Sequence, residues 1–411
     1  MSTGNQSTPE FPASLAQTQP EAAALLRLNG ETDEETGHHH TFREICQQPA
    51  TWLDTASRMV ESASKLAAVL SGVKSVVLTG SGSSEFAGEC VRFGLQKRLG
   101  VDCHSLSGGA ILTYGSDVLP PGRPCVMVSF ARSGDSPEST GAVDLMLDTE
   151  PNTRQLVITC NESGGLATLY EDNPRVQTVV LDRRTNDRSL AMTSSFTNMA
   201  LGATFLGFLN EPAAYLSLCS RLSSICTVLL EQHIGTLARV ARGPFRRAVL
   251  LGSGPRFGAA REAALKLLEM TAGRLPTLAE SYLGLRHGPM SYIHDDTLVI
   301  CFLSSDPLLR AYESDLIAEL NQKQLGASKL LIGEGIPESL LQPGDTAIEL
   351  PGLAEVGDDH TAVIHVVAGQ LLAFFRCMAE GLKPDSPSEE GVIQRVVNNF
   401  TVHRMPEQVK R

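Results

Sequence analysis

The sequence predicts an α/β protein built from two tandem, doubly wound parallel sheets, each flanked by helices, behind an N-terminal arm. Two observations carry this. First, two stretches are near-copies. Val76–Gly88 and Ala248–Ala260 each hold an apolar run, a Gly-Ser-Gly turn and a helix start made of small residues. Second, further unbroken apolar runs alternate with helically spaced segments in both halves, which is how buried parallel strands and their crossover helices read. A chain of 411 residues, 42% hydrophobic, is long and apolar enough for two cores.

Taken in order, residues 1–37 are rich in Ser, Thr, Gln, Glu and Pro around an apolar island at Ala22–Leu28, and 1–40 is read as a flexible arm. The first domain, 41–235, begins with helical spacing from Ile45 to Leu70, punctuated by Pro49. The strand–turn–helix unit at 76–98 follows, then strands at Pro124–Phe130, Gln155–Thr159 and Gln177–Leu181, then a long helical stretch over 194–241. The second domain, 236–385, has strands at 248–252, 297–303 and 329–332 and helices over about 256–273, 308–325 and 360–380. A tail, 386–411, contains a segment, Gly391–His403, suited to returning to the core.

The net charge of −12 argues against nucleic acid or an anionic membrane surface as a partner, so an anionic substrate has to be held by local dipoles and a few cations. Nine scattered cysteines without a Cys-x-x-Cys pair fit a reducing cytoplasm rather than a disulfide scaffold or a zinc site. No apolar run approaches the roughly 18 residues of a membrane span. The polar N-terminus lacks the apolar centre of a signal peptide.

Four motifs carry chemistry. In Gly80-Ser81-Gly82-Ser83-Ser84 the glycines let the backbone approach an anion, and Ser83 and Ser84 offer hydroxyl donors at a helix N-terminus. The same residues also suit a turn that only packs, and neither a full dinucleotide fingerprint nor a Walker lysine follows. Ala131–Ser139 is a second Ser/Gly loop at a strand end, with Arg132, Ser133 and Ser136 as anion donors; Asp135 or Ser136 also suits a helix cap. Lys266 and Glu269 lie three apart on the helix after the second Gly-Ser-Gly turn and share a face. Such a pair is ordinary on a surface. On a helix that opens at a ligand turn, a partly buried Glu is a carrier for a proton alpha to a carbonyl. His287, held between Arg286 and Gly288-Pro289, is placed by its backbone and suits sugar-ring opening or a structural cap. The triplet His38–His40 and the group Asp358, Asp359, His360 and His365 lack convergent ligand spacing. No metal is assigned to them, and the second group is read as a helix N-cap with a neighbouring His.

Together these residues resemble the sugar isomerase (SIS) domain family, and most closely its bacterial galactosamine-6-phosphate deaminase / tagatose-6-phosphate ketose–aldose isomerase branch. The likeness runs from Arg43 to about Val402 and is most specific in Asn186–Phe196, Glu280–Pro289 and Gly391–Val397. The isomerase half of glucosamine-6-phosphate synthase is a more distant likeness. The resemblance implies two SIS domains and phosphate binding by Ser83, Ser84, Arg132, Ser133 and Ser136. It implies proton transfer by Glu269 with Lys266 as its partner, ring opening by His287 supplied from a neighbouring subunit, a homodimer or higher homo-oligomer, and no cofactor. Asn398 stands where the synthase has its Schiff-base lysine, and the amidotransferase domain is lacking, so glutamine-dependent synthesis is excluded. The expected activity is conversion of a hexosamine 6-phosphate to a ketohexose 6-phosphate with release of ammonia. Isomerisation without deamination and a non-catalytic sugar-phosphate sensor are the alternatives, and galacto and gluco stereochemistry are not separated.

Overall fold

The computed structural model describes residues 15, 18–27, 37–120, 124–396 and 400–403. Among them two five-stranded parallel sheets carry the fold. The first holds β1 (Ser75–Gly80), β2 (Asp102–Ser107), β3 (Cys125–Ala131), β4 (Arg154–Thr159) and β5 (Val176–Val180), in the order 2-1-3-4-5. The second holds β6 (Arg247–Leu251), β7 (Thr277–Glu280), β8 (Thr297–Phe302), β9 (Ser328–Gly333) and β10 (Thr346–Glu349), in the order 7-6-8-9-10. The topology is the same in both halves, as the sequence predicts, and the predicted strands match within about a residue at each end.

The registers coincide as well. Ser75 pairs with Cys125 where Arg247 pairs with Thr297, so Gly80, Gly82 and Ser84 occupy the places of Gly252, Gly254 and Arg256. Strands β1, β3 and β8 are buried along their whole length, which is why each reads as an unbroken apolar run. Three edge strands escape the sequence reading: β2, β7 and β10 lie at sheet margins and lack an unbroken apolar run, β2 because it is largely polar and β7 and β10 because they are four residues long and half polar. The stretch expected as one helix over 194–241 is two, Ser194–Thr204 and Pro212–Ala241, separated by a 3-10 turn and by Pro212, which opens the second helix. The expected domain boundary at 235 falls inside that second helix.

Within the arm, a helix at Pro20–Arg27 docks on Pro212–Ala241: Gln19 donates to the Glu231 carbonyl at 2.6 Å and accepts from Gly235 N at 2.9 Å. Pro212–Ala241 and Ala362–Ala379 have the length and hydropathy of membrane spans, contrary to the reading that no apolar run approaches one. The second is core in this fold: 89% of its most apolar window is buried inside the protein, against the Pro212–Ala241 and Pro255–Met270 helices. All nine cysteines are buried and unpaired.

The halves meet along helices in equivalent places, Ser83–Leu99 and Pro255–Met270. A Cβ on Gly258 would stand 2.8 Å from Cys90 N, so the backbones touch there and only glycine fits. On its other side the Pro255–Met270 helix meets Ala362–Ala379, where a Cβ on Gly369 would reach Ala263 Cβ at 2.4 Å. A helix packed so closely on two flanks buries most of what it carries, charges included.

Candidate active site at the β1–β3 switch point

Strand order reverses between β1 and β3, so their C-terminal loops leave the sheet side by side and open a crevice at its edge. Gly82 sits at φ 57°, ψ −123°, and Gly254 in the other half at φ 57°, ψ −127°. This positive φ is a glycine conformation and makes the turn tight enough to start a helix at the next residue. A Cβ on Gly80 would fall 2.3 Å from Ser84 Cβ, so the strand end also needs glycine to let the helix start close by.

The second loop is fixed from outside. Gly134 has φ 76°, and its carbonyl accepts from Leu166 N at 2.9 Å. Asn161 Nδ2 donates to the Ser133 carbonyl at 2.8 Å, and a Cβ on Gly164 would lie 2.0 Å from that oxygen. Ser136 is the N-cap residue of the Pro137–Thr149 helix, but its hydroxyl donates to Glu138 at 2.5 Å instead of capping. Asp135 accepts from Gly165 N at 2.9 Å, so neither residue is a side-chain cap.

Into this crevice the second domain inserts Lys266. Its ammonium donates to Ser83 Oγ at 3.0 Å and to Glu269 Oε2 at 2.5 Å, and lies 3.4 Å from Glu262 Oε1. Lys266 and Glu262 are fully buried, while the Glu269 side chain retains 22% of its exposure. Burial works against the Lys266 ammonium, but Glu262 and then Glu269 outweigh it and hold its pKa above the ordinary lysine value. Burial pushes the Glu262 carboxyl up to about 7, against the pull of Lys266. Sequence reasoning missed Glu262. Its only signal was the Glu-to-Lys spacing of four, which on most helices marks a solvated pair.

Arg132 is buried beside this group. Its guanidinium donates to the carbonyls of Ser189 (3.0 Å), Leu190 (2.8 Å) and Arg395 (2.7 Å), joining the second loop to the Asn186–Phe196 segment and to the tail. Burial lowers its pKa; Asp187, Glu269 and Glu44 pull it back up. Arg395 answers by donating to the Asp187 carbonyl at 2.8 Å and to Asn186 Oδ1 at 2.6 Å. Ser84 Oγ lies 4.0 Å from Met192 Sδ of the same segment.

Ser83, Lys266 and Glu269 are thus brought together, with Ser84 on the same turn and Arg132 within electrostatic reach of Glu269. Ser133 and Ser136 stand on the neighbouring loop. His287 lies on an exposed turn after the Tyr282–Leu285 helix, where its N–H donates to the Gly284 carbonyl at 2.9 Å. Among the described residues its side chain makes no hydrogen bond or ion pair with the Lys266 group of its own chain. Asn398 lies outside the described residues. Among the described residues no three His, Cys, Asp or Glu side chains gather as a metal site.

The group at Asp358 is not an N-cap, contrary to expectation. Asp358 accepts from Ser304 Oγ and from Ser305 N (3.0 Å) and lies 2.8 Å from Arg256 Nη1, while Thr361 is the N-cap residue of the following helix.

The arrangement offers hydroxyls and helix starts for an anion, and a half-open carboxylate beside a buried ammonium for moving a proton. No family model matches the chain. A Streptomyces coelicolor protein provisionally named D-galactosamine-6-phosphate deaminase AgaS is 38% identical over 378 residues, covering 89% of this chain and 96% of the relative. The Escherichia coli D-galactosamine-6-phosphate deaminase AgaS is 33% identical, covering 88% and 95%. Among solved structures, a Clostridium novyi protein provisionally described as a tagatose-6-phosphate ketose/aldose isomerase superposes with a TM-score of 0.85 at 32% identity, covering 90% of this chain and 97% of that one.

Proposed function

The chain belongs to the D-galactosamine-6-phosphate deaminase family of SIS-domain proteins, and from that premise we propose that it converts D-galactosamine 6-phosphate to tagatose 6-phosphate and ammonia. The observation that carries the reading is the Ser83–Lys266–Glu269 contact, which sets a proton-transfer pair from one domain against the anion turn of the other.

In this reading Ser83, Ser84, Ser133 and Ser136 receive the 6-phosphate at the two helix starts, and Arg132 supplies charge behind them. His287, which stands on the surface of its own chain, reaches the crevice of a second copy and assists ring opening, so the active form is a homodimer or larger. Glu269 removes the hydrogen from carbon 2 of the open-chain aldehyde and returns it to carbon 1. Lys266 stabilises the negative charge that develops on the carbon 1 oxygen. A nitrogen-bound proton passes to the carbon 1 oxygen as the transfer completes, so the product carries a hydroxyl at carbon 1 and an imine at carbon 2. Water adds there, the carbon–nitrogen bond breaks, ammonia leaves, and a ketone remains. No metal or nucleotide is required. The protein works in the cytoplasm on a small phosphorylated substrate, without a nucleic-acid or membrane partner.

A second reading is favoured by the description of the Clostridium novyi structure: aldose–ketose isomerisation with a hydroxyl at carbon 2 and no ammonia. The same residues serve both reactions. Incubating the protein with D-galactosamine 6-phosphate and D-glucosamine 6-phosphate, and assaying ammonia and ketose, separates them. Ammonia from the galacto substrate is the expected result. Ketose–aldose exchange of tagatose 6-phosphate with no ammonia from either amino sugar would replace it with the second reading.

A further inference from the structure

Two carboxylates share the Lys266 ammonium. Glu262, Lys266 and Glu269 fall at i, i+4 and i+7, one face of the Pro255–Met270 helix. Glu269 is half-open and Glu262 is sealed. We propose that Glu262 is a positioning residue: its carboxylate neutralises the Lys266 ammonium and holds it against Ser83, leaving Glu269 able to take up and give back the substrate proton. This rests on the deaminase/isomerase reading above.

The argument is electrostatic. A lysine buried with Glu269 as its only counter-ion would be left an uncompensated buried charge each time Glu269 became protonated. With Glu262 present, protonated Glu269 leaves a neutral Lys266–Glu262 pair. The repeat supplies a control. The helix Ser83–Leu99 has Cys90 at the place of Glu262, Gly94 at the place of Lys266 and Lys97 at the place of Glu269. The scaffold therefore forms without this triad, and a buried charged group of this kind is poor value as a stabiliser. Besides Lys266 and Glu269, the titratable groups facing Glu262 are the Cys90 thiol, itself beside Glu89, and, through Lys266, the Arg132 guanidinium. Ser83 closes the same side.

The test is Glu262→Gln, followed by kcat, KM and their pH dependence with D-galactosamine 6-phosphate and tagatose 6-phosphate. The expected result is a kcat lowered about 10- to 100-fold, as for a lost bond to a charged group, with KM within about threefold. The wild-type profile should carry an acid-side inflection near pH 7 as Glu262 takes its proton, and Glu262→Gln should lack it. Glu262→Asp keeps the charge and should keep the inflection with a smaller loss. Wild-type kcat in Glu262→Gln, an unmoved inflection, or an inflection absent from folded Glu262→Asp overturns the proposal. If the wild type turns over neither sugar phosphate, the functional reading fails, and Glu262 is then judged on Lys266 alone. With ¹³C-labelled lysine, the Cε signal of Lys266, assigned by Lys266→Met, should titrate at lower pH in Glu262→Gln than in the wild type. Equal titration would dismiss the role.

Discussion

At the end of β1 the Gly-Ser-Gly turn runs into Ser83 and Ser84; at the end of β6 a turn of the same backbone runs into Pro255 and Arg256. The second loop differs in parallel, with Arg132 and Ser133 after β3 and Ser304 and Ser305 at the same places after β8. In the second half Arg256 is wholly buried in the crevice, 2.8 Å from Asp358 and 3.5 Å from Glu313. Asp358 accepts from Ser304 Oγ and Ser305 N, and Glu313 from Ser304 N at 2.6 Å. A carboxylate of the chain therefore stands where the serine loop would offer its donors to a ligand. In the first half the acid from the equivalent loop, Asp187, turns back onto its own helix. It accepts from Thr193 N (2.7 Å), Ser194 N (3.1 Å) and Ser195 N (2.9 Å) and leaves the crevice open. Serine loops at a switch point do not by themselves make a binding site. Where the next acidic side chain goes decides it.

The strongest way to break the comparison is at Glu269, which the first repeat matches with Lys97. Glu269→Gln should lower kcat about 10²- to 10⁴-fold while sugar-phosphate binding persists, and exchange of the carbon 2 hydrogen with deuterated solvent should vanish. Exchange at the wild-type rate would assign the base elsewhere. Next is Asp358. Asp358→Ala strips Arg256 of its nearer counter-ion and should cost about 3 kcal/mol of stability in urea melts. Inorganic phosphate should recover more of this loss than it adds to the wild type, because it fits the donors that the carboxylate left. Equal phosphate effects in both proteins would mean that the second crevice is no latent anion site. Burial works against the Asp358 carboxylate, yet Arg256, Ser304 and Ser305 hold its pKa below the ordinary aspartate value. Its contribution is accordingly present above that ordinary value and is lost as pH falls through the lower folded one.

Arg132→Ala should follow, raising KM about tenfold with kcat nearly unchanged, since the charge it is proposed to place behind the phosphate acts alike in ground and transition states. A collapse of kcat at constant KM would move Arg132 into the chemistry. The smallest effect concerns the loop that holds Arg132. Glu44 accepts from Arg188 N at 2.5 Å, and burial with the nearby Asp187 charge pushes its pKa up to about 8. The folded state then holds a proton that the unfolded state releases above the ordinary glutamate range, so stability should decline as pH rises from about 5 to 8. Glu44→Gln should flatten that slope, by at most about 1.4 kcal/mol per pH unit. An unchanged slope would place the titration on another group.

Much of this was legible before any coordinates. Apolar runs marked the buried strands because both faces of a parallel sheet are covered, and the doubled turn announced the repeat. Lys266 and Glu269 were legible because helical spacing alone joins them. Glu262 was not, since its burial depends on Gly258 and Gly369 drawing two distant helices onto its own. The Arg256–Glu313–Asp358 cluster was equally hidden: its members are far apart in sequence and meet only through the fold. The edge strands β2, β7 and β10 lacked the apolar run that central strands need. Asp358 read as a cap because an acid just before a helix usually is one; here Ser304, Ser305 and Arg256 compete for it more strongly.

The bond from Lys266 to Ser83 has a further consequence. Its two ends sit on the helices that follow β1 and β6, one in each half. Turnover is therefore a gauge of how well the two halves stay docked. Warming that loosens their shared helix seam by a fraction of an ångström should silence the enzyme while circular dichroism still records both sheets intact.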